Sequence, residues 1–257
     1  MKWRLPAVPY HIIAPLPDNV ATPDSAGFDS EREGLHRQML SSVSHDLKTP
    51  LVSIIGSLDV LERMKDKLSE EKQTALIRVA LQEAYRLDNF ITDVLDMAKF
   101  ENGMVRPKHE TTEIGAIIRD CLMRMKNRLH ESTVIFDKPN RLEAKTDSSL
   151  LCRAISLVLE NAVMQGGASP VINISIGAIG DDLGFISIRD SSDGIPDHAQ
   201  GNLFSKHAEY AKGDRRAKGT GLGLAICKSI MDLLGGEVTA VNDVKGGALF
   251  TLGFPIN

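Results

Sequence analysis

The sequence holds little cysteine, and none of it is arranged for covalent or metal work. Cys121, Cys152 and Cys227 are the three cysteines. They are odd in number, far apart and set in apolar helical patterns, which argues against a disulfide framework or closely spaced metal ligands and reads as buried thiols. An excess of charge of one sign is also missing. The 30 basic and 34 acidic residues leave a formal net charge of -4, no field for a polyanion, so direct nucleic-acid binding is not expected. No run approaches the roughly 18 uninterrupted apolar residues of a membrane helix, and no charged-then-apolar segment opens the chain as a signal peptide would. The expectation is a soluble, cytoplasmic chain without a membrane segment. G-x-x-x-x-G-K-[ST] is absent, and no strand, glycine-rich turn and helix lie early in a parallel-sheet pattern, which argues against P-loop and dinucleotide folds. His11, His36, His109, His130, His198 and His207 are dispersed without ligand spacing and read as surface residues.

What is present falls into two parts. With 257 residues, 42% of them hydrophobic, the chain can bury one large core or two modest ones, and the motif layout favours two. Residues 1–28 hold Pro6, Pro9, Pro15, Pro17 and Pro23, five of the eleven prolines, so an extended leader or linker is expected there. It reads as a tail or as the remnant of a connection to a sensing domain. Residues 29–104 read as two amphipathic helices. In the first, Leu35, Met39, Val43, Leu47, Leu51, Ile54, Leu58 and Leu61 form one stripe at three/four spacing, with His45 at its edge and Pro50 inside, where a kink is expected. The second runs from about Glu70, with Ser69 as a cap, to Phe100, and stops at Asn102-Gly103. One hairpin cannot bury both stripes; a homodimeric four-helix bundle does.

Beyond Gly103 the pattern alternates, and residues 105–257 read as a second, α+β domain with helices on one face of a mixed sheet. Strands are expected over Val105–Thr111, Thr133–Phe136, Val171–Ala178, Leu183–Arg189, Glu237–Asn242 and Ala248–Phe254. Helices are expected over Thr112–Leu129, Ser148–Gln165 and Thr220–Leu234.

Chemistry concentrates in four places. In Ser44-His45-Asp46-Leu47-Lys48-Thr49-Pro50, a helix-borne imidazole can attack a phosphoryl group while Asp46 holds one ring nitrogen protonated, leaving the other its lone pair. Asn161 is a conspicuous amide on an otherwise apolar helix, though alone it reads as a helix-surface residue. Asp190 ends a strand, where a carboxylate aimed into a pocket can accept the exocyclic amine of adenine, and it opens Asp190-Ser191-Ser192-Asp193-Gly194, which alone is an ordinary turn. Gly219-Thr220-Gly221-Leu222-Gly223-Leu224 precedes a helix, so its backbone can close on phosphates that the helix N-terminus favours. The polar stretch from Pro196 to Lys218, with Lys206, Lys212, Arg215, Arg216 and Lys218, fits a lid over a triphosphate or a solvated loop.

In this order and spacing the H-D-L-K-T-P run, Asn161, the D-x-x-x-G-I-P turn and the G-T-G-L-G-L-A-I run resemble the two-component sensor histidine kinases of bacteria, over about residues 30–257. The resemblance implies a dimeric helical bundle carrying the phosphoaccepting histidine, then an α/β-sandwich ATP-binding domain of the type shared with gyrase and heat-shock-chaperone ATPases. It makes His45 the phosphoacceptor, Asp46 the group that orients and deprotonates it, and Thr49 a helper in placing water when a partner is dephosphorylated. ATP would be held by Asn161, Asp190, Gly194, Lys218, Gly219, Thr220, Gly221, Leu222 and Gly223, with Asn161 also the Mg²⁺ ligand. The partner would be the receiver domain of a response regulator.

The chain departs from the family at Leu157, where an amide is usual, at Met164 and Gln165, where basic and aromatic residues are usual, and at His207, where the lid usually has an aromatic. Ser192 replaces a glycine; it is expected to narrow the approach of a nucleotide, so that Ser192→Gly would tighten binding. At about 1 kcal/mol each, Leu157, Ser192 and His207 together would weaken ATP binding on the order of a hundredfold. The leading expectation is an ATP-dependent protein-histidine kinase. Its competitors are a histidine phosphotransfer or scaffold protein with a degenerate nucleotide domain, and a stand-alone ATPase, which leaves the His45 helix without purpose.

Overall fold

In the computed structural model, residues 47–136, 141–205 and 221–257 are described. Helix α1 covers residues 47–64 and continues through Pro50. A single 3₁₀ turn, Lys65–Lys67, leads to α2, Glu70–Glu101. Ser69 caps α2, its hydroxyl accepting the Lys72 N–H at 3.4 Å. The Gln73 amide donates to the carbonyls of Lys65 at 2.9 Å and Leu68 at 3.0 Å, closing the turn. α2 stops at Asn102, and Gly103 takes a φ of +60°, as expected for a chain leaving a helix. The hairpin exposes Leu51, Ile55, Leu58, Ile77, Leu81 and Leu95, apolar surface that water penalises.

The rest is a sheet under three helices. β2 (Thr133–Phe136), β4 (Val171–Ile179), β5 (Leu183–Arg189), β7 (Ala248–Pro255) and β6 (Glu237–Asn242) lie side by side in that order. β2 and β4 are parallel and the other neighbours antiparallel. β1 (Glu110–Glu113) and β3 (Glu143–Thr146) form a separate antiparallel ribbon. Alternation along the large sheet sends Ile172, Ile174, Ile186, Ile188, Phe250, Leu252 and Phe254 to one buried face. The opposite face is polar, with the Ser175 and Ser187 hydroxyls paired at 2.7 Å. Over the buried face lie α3 (Ile114–Arg124), α4 (Ser148–Gln165) and α6 (Gly223–Leu233), contributing Ile114, Ile118, Leu151, Ile155, Leu159, Ile226 and Ile230.

Several boundaries differ from the sequence expectation, each for a local reason. No strand covers 105–109, where Pro107 lacks an N–H; pairing begins at Glu110, opposite Thr146. β3 escapes a hydrophobic pattern because its inward residues are Ala144 and Thr146. α3 ends at Arg124, although Met125 and Leu129 stay buried in the turns that follow, so apolar periodicity outlasts the helix. α6 starts at Gly223, and a short helix α5, Asp197–Gln200, lies at the start of the stretch read as a lid or a solvated loop.

Candidate nucleotide site and phosphoacceptor helix

Asp190 sits one residue past β5, with 1% of its surface exposed. Its N–H donates to the Ala248 carbonyl at 3.0 Å, and the Ala248 N–H donates back to Oδ1 at 2.8 Å. Oδ1 also accepts the Ser192 N–H at 3.0 Å and the Ser192 hydroxyl at 2.7 Å. Oδ2 is buried without a hydrogen-bond partner among the described residues. A buried carboxylate oxygen left unpaired is costly, so this atom is placed to accept from a donor beyond the described residues. An exocyclic amine fits that requirement.

The loop beyond Asp190 is braced from every side. Ser191 Oγ accepts the Val171 N–H at 2.9 Å, and Ser192 Oγ accepts the Gly194 N–H at 3.1 Å. Ser192 therefore ties the loop to Asp190 and cannot be read only as bulk replacing a glycine. Gly194 has a φ of +91°, and a Cβ there would stand 2.7 Å from Asn242 Oδ1. That oxygen accepts the Ile195 N–H at 2.6 Å while Nδ2 donates to the Ile195 carbonyl at 2.9 Å. At Gly247, φ is +85° and a Cβ would meet the Asp190 carbonyl oxygen at 2.1 Å; only glycine lets β7 approach Asp190.

Asn161 lies half-buried in the last turns of α4. The helix begins at Asp147, whose Oδ1 accepts the N–H groups of Ser149 at 3.0 Å and Leu150 at 3.1 Å, while Oδ2 accepts the Lys108 N–H at 2.8 Å. Burial alone would raise the Asp147 pKa, but the Lys108 N–H, the Ser149 hydroxyl and the helix N–H groups outweigh it and hold the carboxyl below its usual range. Leu157, one turn before Asn161, is buried against α6; a Cβ on Gly223 would lie 3.4 Å from its Cδ2. Residues four apart share a helix face, so Asn161 and the Gly221-Leu222-Gly223 segment meet the same side of α4. Gly221 has a φ of +70°, and Leu222 is buried. The expected amide position at 157 thus serves packing.

Thr49 is exposed on α1. His45, Asp46, Lys218, Gly219 and Thr220 lie outside the described residues, as do His207 and the basic residues expected of the lid.

One set of contacts has no sequence signal. Arg153 of α4 donates to Asp93 Oδ1 of α2 at 2.7 Å and lies 3.5 Å from Asp96 Oδ2. Arg128 donates to Asn89 Oδ1 at 2.6 Å and pairs with Glu160. Burial raises the Glu160 pKa and Asp93 adds to the rise, against the pull of Arg128 and Arg153. The cluster fastens the helix carrying Asn161 to the C-terminal half of α2.

Residues 35–103 match the His Kinase A (phospho-acceptor) domain, and residues 146–257 match the histidine kinase-, DNA gyrase B- and HSP90-like ATPase family. The sensor protein KdpD of Escherichia coli (strain K12) is 31% identical over 240 residues, which cover 91% of this chain and 26% of that protein. The signal transduction histidine-protein kinase AfsQ2 of Streptomyces coelicolor is 27% identical, over 87% of this chain and 42% of that protein. The chain thus spans between a quarter and a half of these relatives. Its fold is that of the histidine kinase AdeS of Acinetobacter baumannii, with a TM-score of 0.64 at 21% identity over 83% of this chain and 98% of that one. It is also that of the histidine kinase ThkA, solved in complex with the response regulator protein TrrA, with a TM-score of 0.65 at 20% identity over 92% of this chain and 68% of that one. A phosphoacceptor hairpin followed by an ATP-binding sandwich defines the class of the sensor histidine kinases. This chain belongs to that family. Among the described residues no helix is long and apolar enough to cross a membrane.

Proposed function

We propose that the chain is the core of an ATP-dependent protein-histidine kinase that phosphorylates itself on His45 and passes the phosphoryl group to an aspartate of a response-regulator receiver domain. The division proposed is a leader at 1–28, a dimerisation and phosphoacceptor domain at 29–104 and an ATP-binding domain at 105–257. ATP supplies the γ-phosphoryl group, and Mg²⁺ neutralises charge on the phosphates when bound. Asp190 accepts the adenine amine on Oδ2, Gly194 and Gly247 keep the backbone clear around it, and Asn161 offers its amide oxygen to the metal. The run from Lys218 to Gly223 holds the phosphates. His45 attacks as neutral imidazole, Asp46 takes up the ring proton, and Thr49 positions water when the regulator is dephosphorylated. The exposed apolar hairpin supports a homodimer.

The observation that carries this reading is the buried Oδ2 of Asp190, which has no hydrogen-bond partner among the described residues. In Asp190→Asn the three donors on Oδ1 keep the amide oxygen in place and force the NH₂ to face the adenine amine, donor against donor. ATP affinity is expected to fall about a hundredfold, since a hydrogen bond to a charged group contributes about 1.5–3 kcal/mol. Calorimetry on the variant, with circular dichroism to confirm its fold, tests this. Unchanged affinity would remove Asp190 from the nucleotide site.

A further inference from the structure

The loop that follows β5 runs from Asp190 to Ile195, and both of its ends are tied to one rung of the sheet. Asn242 of β6 and Ala248 of β7 are register partners. Ala248 holds the start of the loop, its carbonyl accepting the Asp190 N–H at 3.0 Å and its N–H donating to Oδ1 at 2.8 Å. Asn242 holds the end through its side chain, Oδ1 accepting the Ile195 N–H at 2.6 Å and Nδ2 donating to the Ile195 carbonyl at 2.9 Å. The amide stands in for a peptide unit, because it offers a neutral acceptor and a donor side by side, which no other side chain of its length does at neutral pH. A Cβ on Gly194 would stand 2.7 Å from that oxygen, so glycine there makes room for the amide. Ile195 is buried, and its N–H and carbonyl have little water to turn to once the amide is gone. Asn242 itself is exposed, so truncating it opens no cavity in the core.

We infer that Asn242 is a positioning residue for the nucleotide, acting through Ile195 to fix the far end of the loop that begins at Asp190. The inference rests on the reading of Asp190 as the adenine acceptor and adds a second fixed point to it. Ser191 and Ser192 brace the first half of the loop and Asn242 its last residue, so the backbone beyond Asp190 is set in one arrangement before ATP arrives. Without the clamp the loop samples other arrangements, and apparent affinity falls in proportion to the fraction that stays competent. The loss falls on binding and not on transfer to His45, because bound ATP has already restored the arrangement.

The test compares the full-length wild type with Asn242→Ala and Asn242→Asp, by calorimetry with Mg²⁺-ATP and by the initial rate of phosphorylation over a range of ATP concentrations. Asn242→Asp is nearly isosteric and keeps the acceptor, but it sets a carboxylate oxygen against the Ile195 carbonyl where the NH₂ stood. Affinity is expected to fall about tenfold in Asn242→Ala, for two lost hydrogen bonds, and further in Asn242→Asp. KM for ATP should rise by the same factors while the rate at saturating ATP stays within about twofold of the wild type. A residue that only fills space gives the opposite order, with aspartate close to the wild type. That order, unchanged affinity in both variants, a fall in the saturated rate at constant KM, or failure of both variants to fold by circular dichroism would each overturn the inference. A wild type that does not bind ATP overturns the reading of Asp190 itself, a result distinct from variants that bind as well as the wild type does.

Discussion

At the scale of single residues, Ser192 gives both its N–H and its hydroxyl proton to the Asp190 carboxylate. Read as a serine where a glycine is usual, it is an intruder, and removing it should help. In place, its hydroxyl donates to Asp190 Oδ1 and accepts from Gly194, so it holds the carboxylate that the nucleotide is to meet. Ser192→Gly and Ser192→Ala are therefore both expected to weaken Mg²⁺-ATP binding about fivefold, equivalent to about 1 kcal/mol for the lost hydrogen bonds. Calorimetry on the pair distinguishes the readings: an intruder would bind more tightly as glycine and not as alanine. Asp190 and Gly194 were legible because strand, acid and turn are contiguous. Asn242 and Gly247 were not, since they reach the loop from strands 47 or more residues away, and a lone amide or glycine near a hairpin carries no mark of its target.

At the scale of elements, patterning worked where one face is buried and failed where it is not. α4 and β5 match their expected spans because apolar spacing and bounding residues agree. The ribbon of β1 and β3 is short, mostly polar and outside the five-stranded sheet, so no apolar alternation marks it in the sequence. The attachment of α2 to α4 was invisible for another reason: charges on a helix ordinarily mark its solvent face, but here Asp93 is buried beneath Arg153. Arg153→Ala removes the hydrogen bond to Asp93 and the ion pair with Asp96 and is expected to cost about 1.5–3 kcal/mol of that attachment. Hydrogen exchange should show faster opening around residues 89–97 with the sheet core unchanged. Uniform loss of protection would assign Arg153 to the stability of the whole sandwich instead.

At the scale of the whole molecule, two surfaces need something outside the chain. The hairpin leaves Leu51, Ile55, Leu58, Ile77, Leu81 and Leu95 open to water, and in the proposed homodimer a second copy would cover them by symmetry. Light scattering is expected to show a dimer at micromolar concentration, and a monodisperse monomer would contradict the bundle. The other surface is the proposed nucleotide site, to which α4, the end of β5 and the start of α6 would each contribute groups that no single element holds. The central claim joins these two regions through phosphoryl transfer. The most direct measurement incubates the chain and His45→Gln with ATP labelled in the γ-phosphate and asks where the label goes. Acid-labile, base-stable label on the wild type, absent from a variant that still binds ATP, is the expected result. Label retained on His45→Gln, or free phosphate released with none on the wild-type protein, would contradict it.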